Sequence, residues 1–338
     1  MSTEKQPEHD ELIHIGPEMA VAEADVHPEE AGAFVRGTSL WRDAWRRLLK
    51  NKLAVFGLVV VIVVTVASII GPTVIQKVFG FTPDYIPTHD DKLTRSFPPF
   101  TGPDGKFSWL HPMGTDNAGR DQLARVLQGG QISLFIGILS TVVSLLIGVS
   151  YGAIAGYVGG RVDNLMMRIV DVLYSLPYII LVIVLLSLFR SQTPRGQLTL
   201  LFIAIGSVSW LTMARIVRGQ ILSLKNQEFV LAARATGVSA SRIIFRHLVP
   251  NTLGPVIVYA TLTIPQIMLT EAFLSFLGFG VQAPLASWGT LAADGITNIA
   301  VFPWQLIFPG ATMALTLFSL NFLGDGLRDA LDPQMRTI

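Results

Sequence analysis

The chain contains no cysteine, which excludes a disulfide framework and any thiolate metal site. Charge is scarce too. Only 14% of the 338 residues are Asp, Glu, Lys or Arg, and 25 basic residues nearly cancel 24 acidic ones. A net charge of +1 provides no general attraction for a polyanion, so nucleic acid is not an expected partner. The histidines His9, His14, His27, His89, His111 and His247 are scattered, and none forms a metal-ligand spacing on one helix. Neither a G-x-x-x-x-G-K-S/T phosphate loop nor a G-x-S-x-G nucleophile elbow occurs. No metal site or cofactor is expected, and catalysis by this chain alone has no motif to rest on.

What the chain does have is apolar length: 51% of its residues are hydrophobic. That composition favours a polytopic membrane protein of the all-α class. The first 38 residues stand apart. They are acidic, with Glu4, Glu8, Asp10, Glu11 and Glu18 among them, and read as a solvated, disordered tail. Leu40–Lys52 follows, with Trp41, Trp45, Leu48 and Leu49 at helical spacing beside Arg42, Arg46, Arg47 and Lys50. It reads as an amphipathic helix lying along the membrane surface.

A membrane span needs about 20 apolar residues. Uncharged runs meet that need at Leu53–Gln76, Ile132–Gly160, Val172–Phe189, Thr252–Thr270 and Ile296–Gly324. Leu198–Met213 becomes long enough if it extends to Val217 with Arg215 snorkelling to the interface. Six crossings result. Residues 77–129 form a long polar connection rich in Pro and Gly, within which Asp121–Gln131 reads as a helix leading back to the bilayer.

Six crossings place both termini on one side. Lys and Arg concentrate there: before Leu53, at Arg161 and Arg168, from Arg215 to Arg246, and at Arg328 and Arg336. The positive-inside rule makes that side cytoplasmic and residues 77–129 extracytoplasmic.

Several patterns inside the spans invite a role. Gly148, Gly152, Gly156 and Gly160 recur every fourth residue and open one helix face to a neighbouring backbone. Whether that neighbour is internal or a second subunit is left open. Asp163, Arg168 and Asp171 mark the start of the third crossing, as interface anchors or as functional charges. Pro177, Pro265 and Pro309 interrupt spans, as static kinks or as gating hinges. Glu271 is read as lining the outer mouth of a pathway or as a hydrogen-bond partner in the outer loop. Leu127-Gln-Gly-Gly-Gln131 looks like an ATPase signature loop, but no phosphate loop accompanies it.

One stretch between the apolar runs is basic and rich in helix formers. Glu228–Thr236, containing Ala232, Ala233 and Ala235, reads as a short helix, and Gly237 stands where it would stop. Ser239 or Ser241 caps a second short helix running to Val249, and Pro250 marks its end. The result is a helix–turn–helix hairpin outside the bilayer.

The order Ala232-Ala233, Gly237, Leu248-x-Pro250 resembles the EAA loop of ABC importer permeases. Leu231 and His247 occupy places where the broader family has Glu and an aliphatic residue, a departure typical of the peptide branch. Other segments resemble the C-type permeases of oligopeptide importers: Ser39-Leu-Trp-Arg-Asp-Ala-Trp-Arg-Arg47, Gly114-Thr-Asp116 with Gly119-Arg-Asp121, Gly159-Gly-Arg-Val-Asp163, Ser275-Phe-Leu-Gly-Phe-Gly280 and Gly324-Asp-Gly-Leu-Arg328. The resemblance implies a type I ABC importer permease fold, with a transmembrane type-1 domain over residues 130–326 and a cytoplasmic tail at 327–338. It implies coupling through Glu228, Ala232, Ala233, Gly237, Leu248 and Pro250; Asp171, Pro177, Pro265 and Glu271 stand as gating or pathway candidates on their own chemistry alone. Implied partners are a homologous second permease, two cytoplasmic ATPases that bind the ATP, an extracytoplasmic peptide-binding protein, and the inner membrane bilayer. A dipeptide, nickel or other small-solute permease of the same family is the alternative. An ATPase-independent channel or carrier is the alternative from a different class.

Overall fold

The computed structural model describes residues 40–86, 96–102, 105–189 and 191–331, with backbone only at Leu40 and Trp41. The acidic tail and the end of the C-terminal segment, with Arg336, lie outside the described residues. Five helices are long and apolar enough to cross a membrane, and a bent pair makes a sixth if it counts as one span.

Helix α1 (Leu40–Lys50) turns at Asn51 into α2 (Lys52–Phe79). The Asn51 side chain accepts from the amides of Leu53 (3.1 Å) and Ala54 (3.2 Å), satisfying donors that have no intrahelical partner. Ala44 and Leu48 of α1 pack against Ala54 and Ala330, so α1 docks on the bundle through small residues. Trp45 and Leu49 point outward. Along α2, Val59, Ile62, Val63, Val66, Ile69 and Ile70 are all exposed, as suits a helix facing hydrocarbon.

The connection that follows is folded. Asp116 accepts from the amides of Ala118 and Arg120 (both 2.9 Å) and from Arg120 Nε (2.7 Å), while Arg125 Nε lies 3.4 Å away. The Trp304 indole and the Gln305 amide donate to the Thr115 carbonyl, which ties this turn to the last helix. Asp121 then caps α3 (Gln122–Val158) through the Ala124 amide (2.7 Å). The short helix and the second crossing expected separately are thus one helix of 37 residues, about 55 Å long.

Helices α4 (Gly160–Ser175) and α5 (Tyr178–Leu188) meet at 83° across Leu176-Pro177. The crossing expected over Val172–Phe189 is therefore broken. Eleven residues of α5 reach about 16 Å, roughly half the hydrocarbon thickness. Helix α6 (Pro194–Leu224) has 31 residues and overruns the expected crossing at both ends. Thr193 caps it, Pro194 starts it, and it continues past Arg215. Arg215 does not simply snorkel: it pairs with Asp171 at 2.6 Å and lies over the Tyr174 ring.

Helix α7 (Glu228–Ala235) leads to α8, one unbroken helix over Ala240–Phe276. The boundary expected at Pro250 is absent. Over Ile243–Leu248 the hydrogen bonds shift to the fifth residue back, with the Val249 amide reaching the Ile244 carbonyl. This π turn resets the register just before the imino residue, so the chain runs through without a break. Pro255 and Pro265 are likewise carried inside α8. Helix α9 (Trp288–Thr297) is too short to span, and α10 (Trp304–Leu331) is the last crossing. The expected span from Ile296 thus begins eight residues later, after a turn.

The glycine stripe packs α3 against α6. A Cβ at Gly148 would lie 2.6 Å from Met213 Cβ, one at Gly152 would strike the Ala214 carbonyl, and one at Gly156 would lie 3.0 Å from the Arg218 carbonyl. The partner helix is internal to this chain. Gly160 does not belong to the stripe. The helix has already ended at Val158, and Gly160 opens α4 with φ +56° and nothing within 4 Å of a Cβ.

Glu271 departs from the reading as a pathway residue. It lies inside α8, buried, and accepts from Ser287 (2.6 Å), Ser275 (2.8 Å) and Ser133 (3.4 Å). Ser133 in turn accepts the Trp288 amide (3.1 Å), and the Trp288 indole donates to the Val126 carbonyl (2.8 Å). Gly129 and Gly130, from the false signature loop, leave room for that indole. This polar knot clamps α9 onto α3 and α8.

Three outcomes follow. Gly152→Val should cost about 1–3 kcal/mol through overpacking, read as a lower thermal midpoint in detergent. Gly219→Ala, with open space around it and no positive φ, should be neutral or stabilising. Ser287→Ala removes a cap and a donor to a buried carboxyl, and should cost about 1–3 kcal/mol in the same assay.

Candidate functional site

The hairpin is built from its own hydrogen bonds. The Gly237 amide reaches the Arg234 carbonyl (3.0 Å) and the Val238 amide reaches the Ala233 carbonyl (3.1 Å). This is a Schellman closure, and it needs the left-handed residue that Gly237 supplies at φ +76°. A Cβ there would meet nothing within 4 Å, so backbone conformation rather than space demands glycine. Ser239 sits at the N-cap of the second arm with extended backbone, but its side chain makes no capping bond.

One face of the hairpin is sealed to the bundle. Val230, Ile243, Ile244 and Leu248 are buried with Ala153, Met213, Val217 and Ile221. Lys225 Nζ donates to the Gly156 carbonyl at 3.0 Å, and Arg234 lies over the Tyr157 ring. The opposite face is open. Glu228, Phe229, Leu231, Ala232, Phe245 and Arg246 are exposed there. Ala233 is half-buried and Leu248 is fully buried. Among the expected coupling residues, Glu228 and Ala232 therefore face outward, Gly237 shapes the turn, and Leu248 anchors the hairpin from within. Pro250 is exposed but lies inside α8.

Below the hairpin, two ion pairs join α4 to α6. Arg218 grips Asp163 through two bonds, 2.5 and 2.6 Å long. The planar guanidinium fork matches the carboxylate, so the pair fixes orientation as well as distance. Asp171 and Arg215 form the second, exposed pair. Asp171 and Pro177 thus lie on one side of the bundle with the α4–α5 bend. Pro265 is buried in α8, and Glu271 is occupied in the α9 clamp. The two arginines were visible in the sequence, but their carboxylate partners lie 44 and 55 positions away and no local spacing pairs them.

Residues 148–337 match the family described as "Binding-protein-dependent transport system inner membrane component". Residues 39–99 match "N-terminal TM domain of oligopeptide transport permease C". The "Oligopeptide transport system permease protein OppC" of Haemophilus influenzae is 49% identical over 302 residues, 89% of this chain and 91% of that protein. The protein of the same name from Bacillus subtilis is 45% identical over 301 residues, 89% of this chain and 92% of that one. The "Dipeptide transport system permease protein DppC" of Bacillus subtilis is 42% identical over 334 residues, 98% and 97% of the two chains. Among solved structures, an inward-facing form of the MetNI methionine ABC transporter aligns with TM-score 0.49 and 17% identity, covering 61% of this chain and 96% of that one. With 42–49% identity to those three permeases over 89–98% of its length, the chain belongs to the family of binding-protein-dependent transport system inner membrane components, as a multi-pass permease.

Proposed function

We propose that this chain is the permease subunit of an ATP-driven oligopeptide importer, forming half of the translocation pathway and receiving force through its hairpin. The observation that carries the reading is the two-sided hairpin. Its inner face is welded to α3 and α6, while its outer face leaves Phe229, Leu231 and Phe245 exposed among the described residues. Exposed apolar side chains beside Glu228 and Arg246, at the end of a rigid lever, suit a separate motor protein. In this reading two ATPases grip the hairpins of this chain and of a homologous second permease. A peptide-binding protein delivers cargo at the other end, and the pathway alternates between its two openings. The shift is driven by the difference in ligand affinity between those states.

Lys and Arg clustering supports an orientation with the hairpin and both termini on the cytoplasmic side of a bacterial inner membrane. Oligopeptide cargo is supported by the relatives of that name. A dipeptide permease is the second reading, favoured by a relative of that name matched over 98% of this chain.

Gly237→Val puts a branched residue in the left-handed region, at a cost of about 1–3 kcal/mol. The expected outcome is normal membrane insertion with loss of peptide uptake and of ATPase copurification, whereas Gly237→Asn should retain both. Ala232→Glu, on the outer face, should abolish ATPase copurification without changing the thermal midpoint, because the new charge is desolvated only at the contact. Full uptake of labelled peptide by both Gly237→Val and Ala232→Glu would overturn the coupling role. Saturation with dipeptides but not with tetrapeptides would favour the second reading.

A further inference from the structure

A cavity of about 460 Å³ opens at the bend between α4 and α5. It lies near mid-depth of the bundle: Thr212 is close to the middle of α6, and Thr263 sits well inside the spanning part of α8. Its polar lining comes mainly from Tyr174, Tyr178, Thr212, Tyr259, Thr263 and Gln266, and its floor is apolar. The Tyr174 and Thr212 hydroxyls meet across it. None of its lining residues is Asp, Glu, Lys, Arg or His. Beside it Arg215 and Asp171 neutralise one another, with the guanidinium stacked on Tyr174 at 4.1 Å.

We infer that this cavity is a binding station for the main chain of a passing peptide, indifferent to the charge of its side chains; the inference rests on the peptide-permease reading above. The chemistry runs as follows. Hydroxyls and a carboxamide both donate and accept, so they can meet alternating N–H and C=O groups in either register. Those groups are common to every peptide sequence. A fixed charge in a low-dielectric wall would instead select one charge class strongly. The lining has neither carboxylates nor imidazoles, so it offers no ligand set for a divalent cation. Its volume falls within the range of small-ligand sites and admits a short stretch of chain. Neutral contacts also keep affinity low enough for release, as conduction requires. The bend creates the space. Leu176, Pro177 and Tyr178 at the bend line the cavity together with residues of α6 and α8.

The chain's lack of cysteine makes the test direct. Gln266→Cys, an exposed position on the cavity wall, is introduced into the full transporter in native membranes, with uptake checked first. A water-soluble methanethiosulfonate is applied with and without trialanine, trilysine or triglutamate. Protection by all three alike is the expected result. Absence of labelling, protection by none, or protection by only one charge class would overturn the assignment. In parallel, Tyr259→Phe with Thr263→Val removes two hydrogen-bonding groups and should lower uptake of all three peptides by about tenfold, with ATPase copurification unchanged. Unaltered uptake, or a fall for one peptide alone, would overturn it as well. Failure here, with ATPase-dependent uptake intact and Gly237→Val inactive, sinks only the cavity assignment. An active Gly237→Val sinks the coupling reading whatever the cavity does.

Discussion

Backbone meets backbone where α3 crosses α6, because Gly148, Gly152 and Gly156 present no side chain to Met213, Ala214 and Arg218. In hydrocarbon, helices gain little from burying apolar area, since lipid is as apolar as the side chains. Close contact and hydrogen bonds must hold them together. The glycine contact brings Lys225 within reach of the Gly156 carbonyl and sets Arg218 opposite Asp163. Helix α6 leads directly into the hairpin, so the same contact determines how rigidly the hairpin is held.

Around that axis the molecule keeps polar groups in small closed sets. Glu271 with its three serines clamps α9, and Asp116 with its amides and arginines shapes the loop that caps α3. The Glu271 set joins α3, α8 and the start of α9, whereas the Asp116 set is local to its loop and the start of α3; the carboxylate in each finds the donors it would be costly to lack in an apolar surround. What stays open is the outer face of the hairpin and the hydroxyl-lined cavity at the α4–α5 bend. A bundle rigid in one place and open in two suits a permease that must accept force at one end and pass cargo through the middle.

Much of this was legible from local pattern. Gly237 stops a helix because a Schellman turn requires φ > 0, and that signal sits in eight neighbouring residues. The approximate places of the spans followed from apolar length, though not their ends or the break in the third. Local pattern failed where a neighbour decided the outcome. Pro250 read as a boundary, yet a π turn absorbs it inside a continuous helix. Gly160 fits a four-residue repeat, yet the helix ends before it. Glu271 read as a pathway residue or a hydrogen-bond partner; three hydroxyls from different elements enclose it, as the second reading requires, but inside a helix rather than in the outer loop.

Composition determined the all-helical class and the membrane setting, and residue order along one short stretch determined the hairpin turn. Transfer of apolar groups and backbone preferences act residue by residue along the chain. Tertiary structure alone decided that the third crossing is bent by 83°, that Arg215 and Arg218 have carboxylate partners on α4, and that a neutral polar cavity opens beside the bend. Those outcomes depend on which side chains meet across helices, and no spacing within a single segment encodes such a meeting.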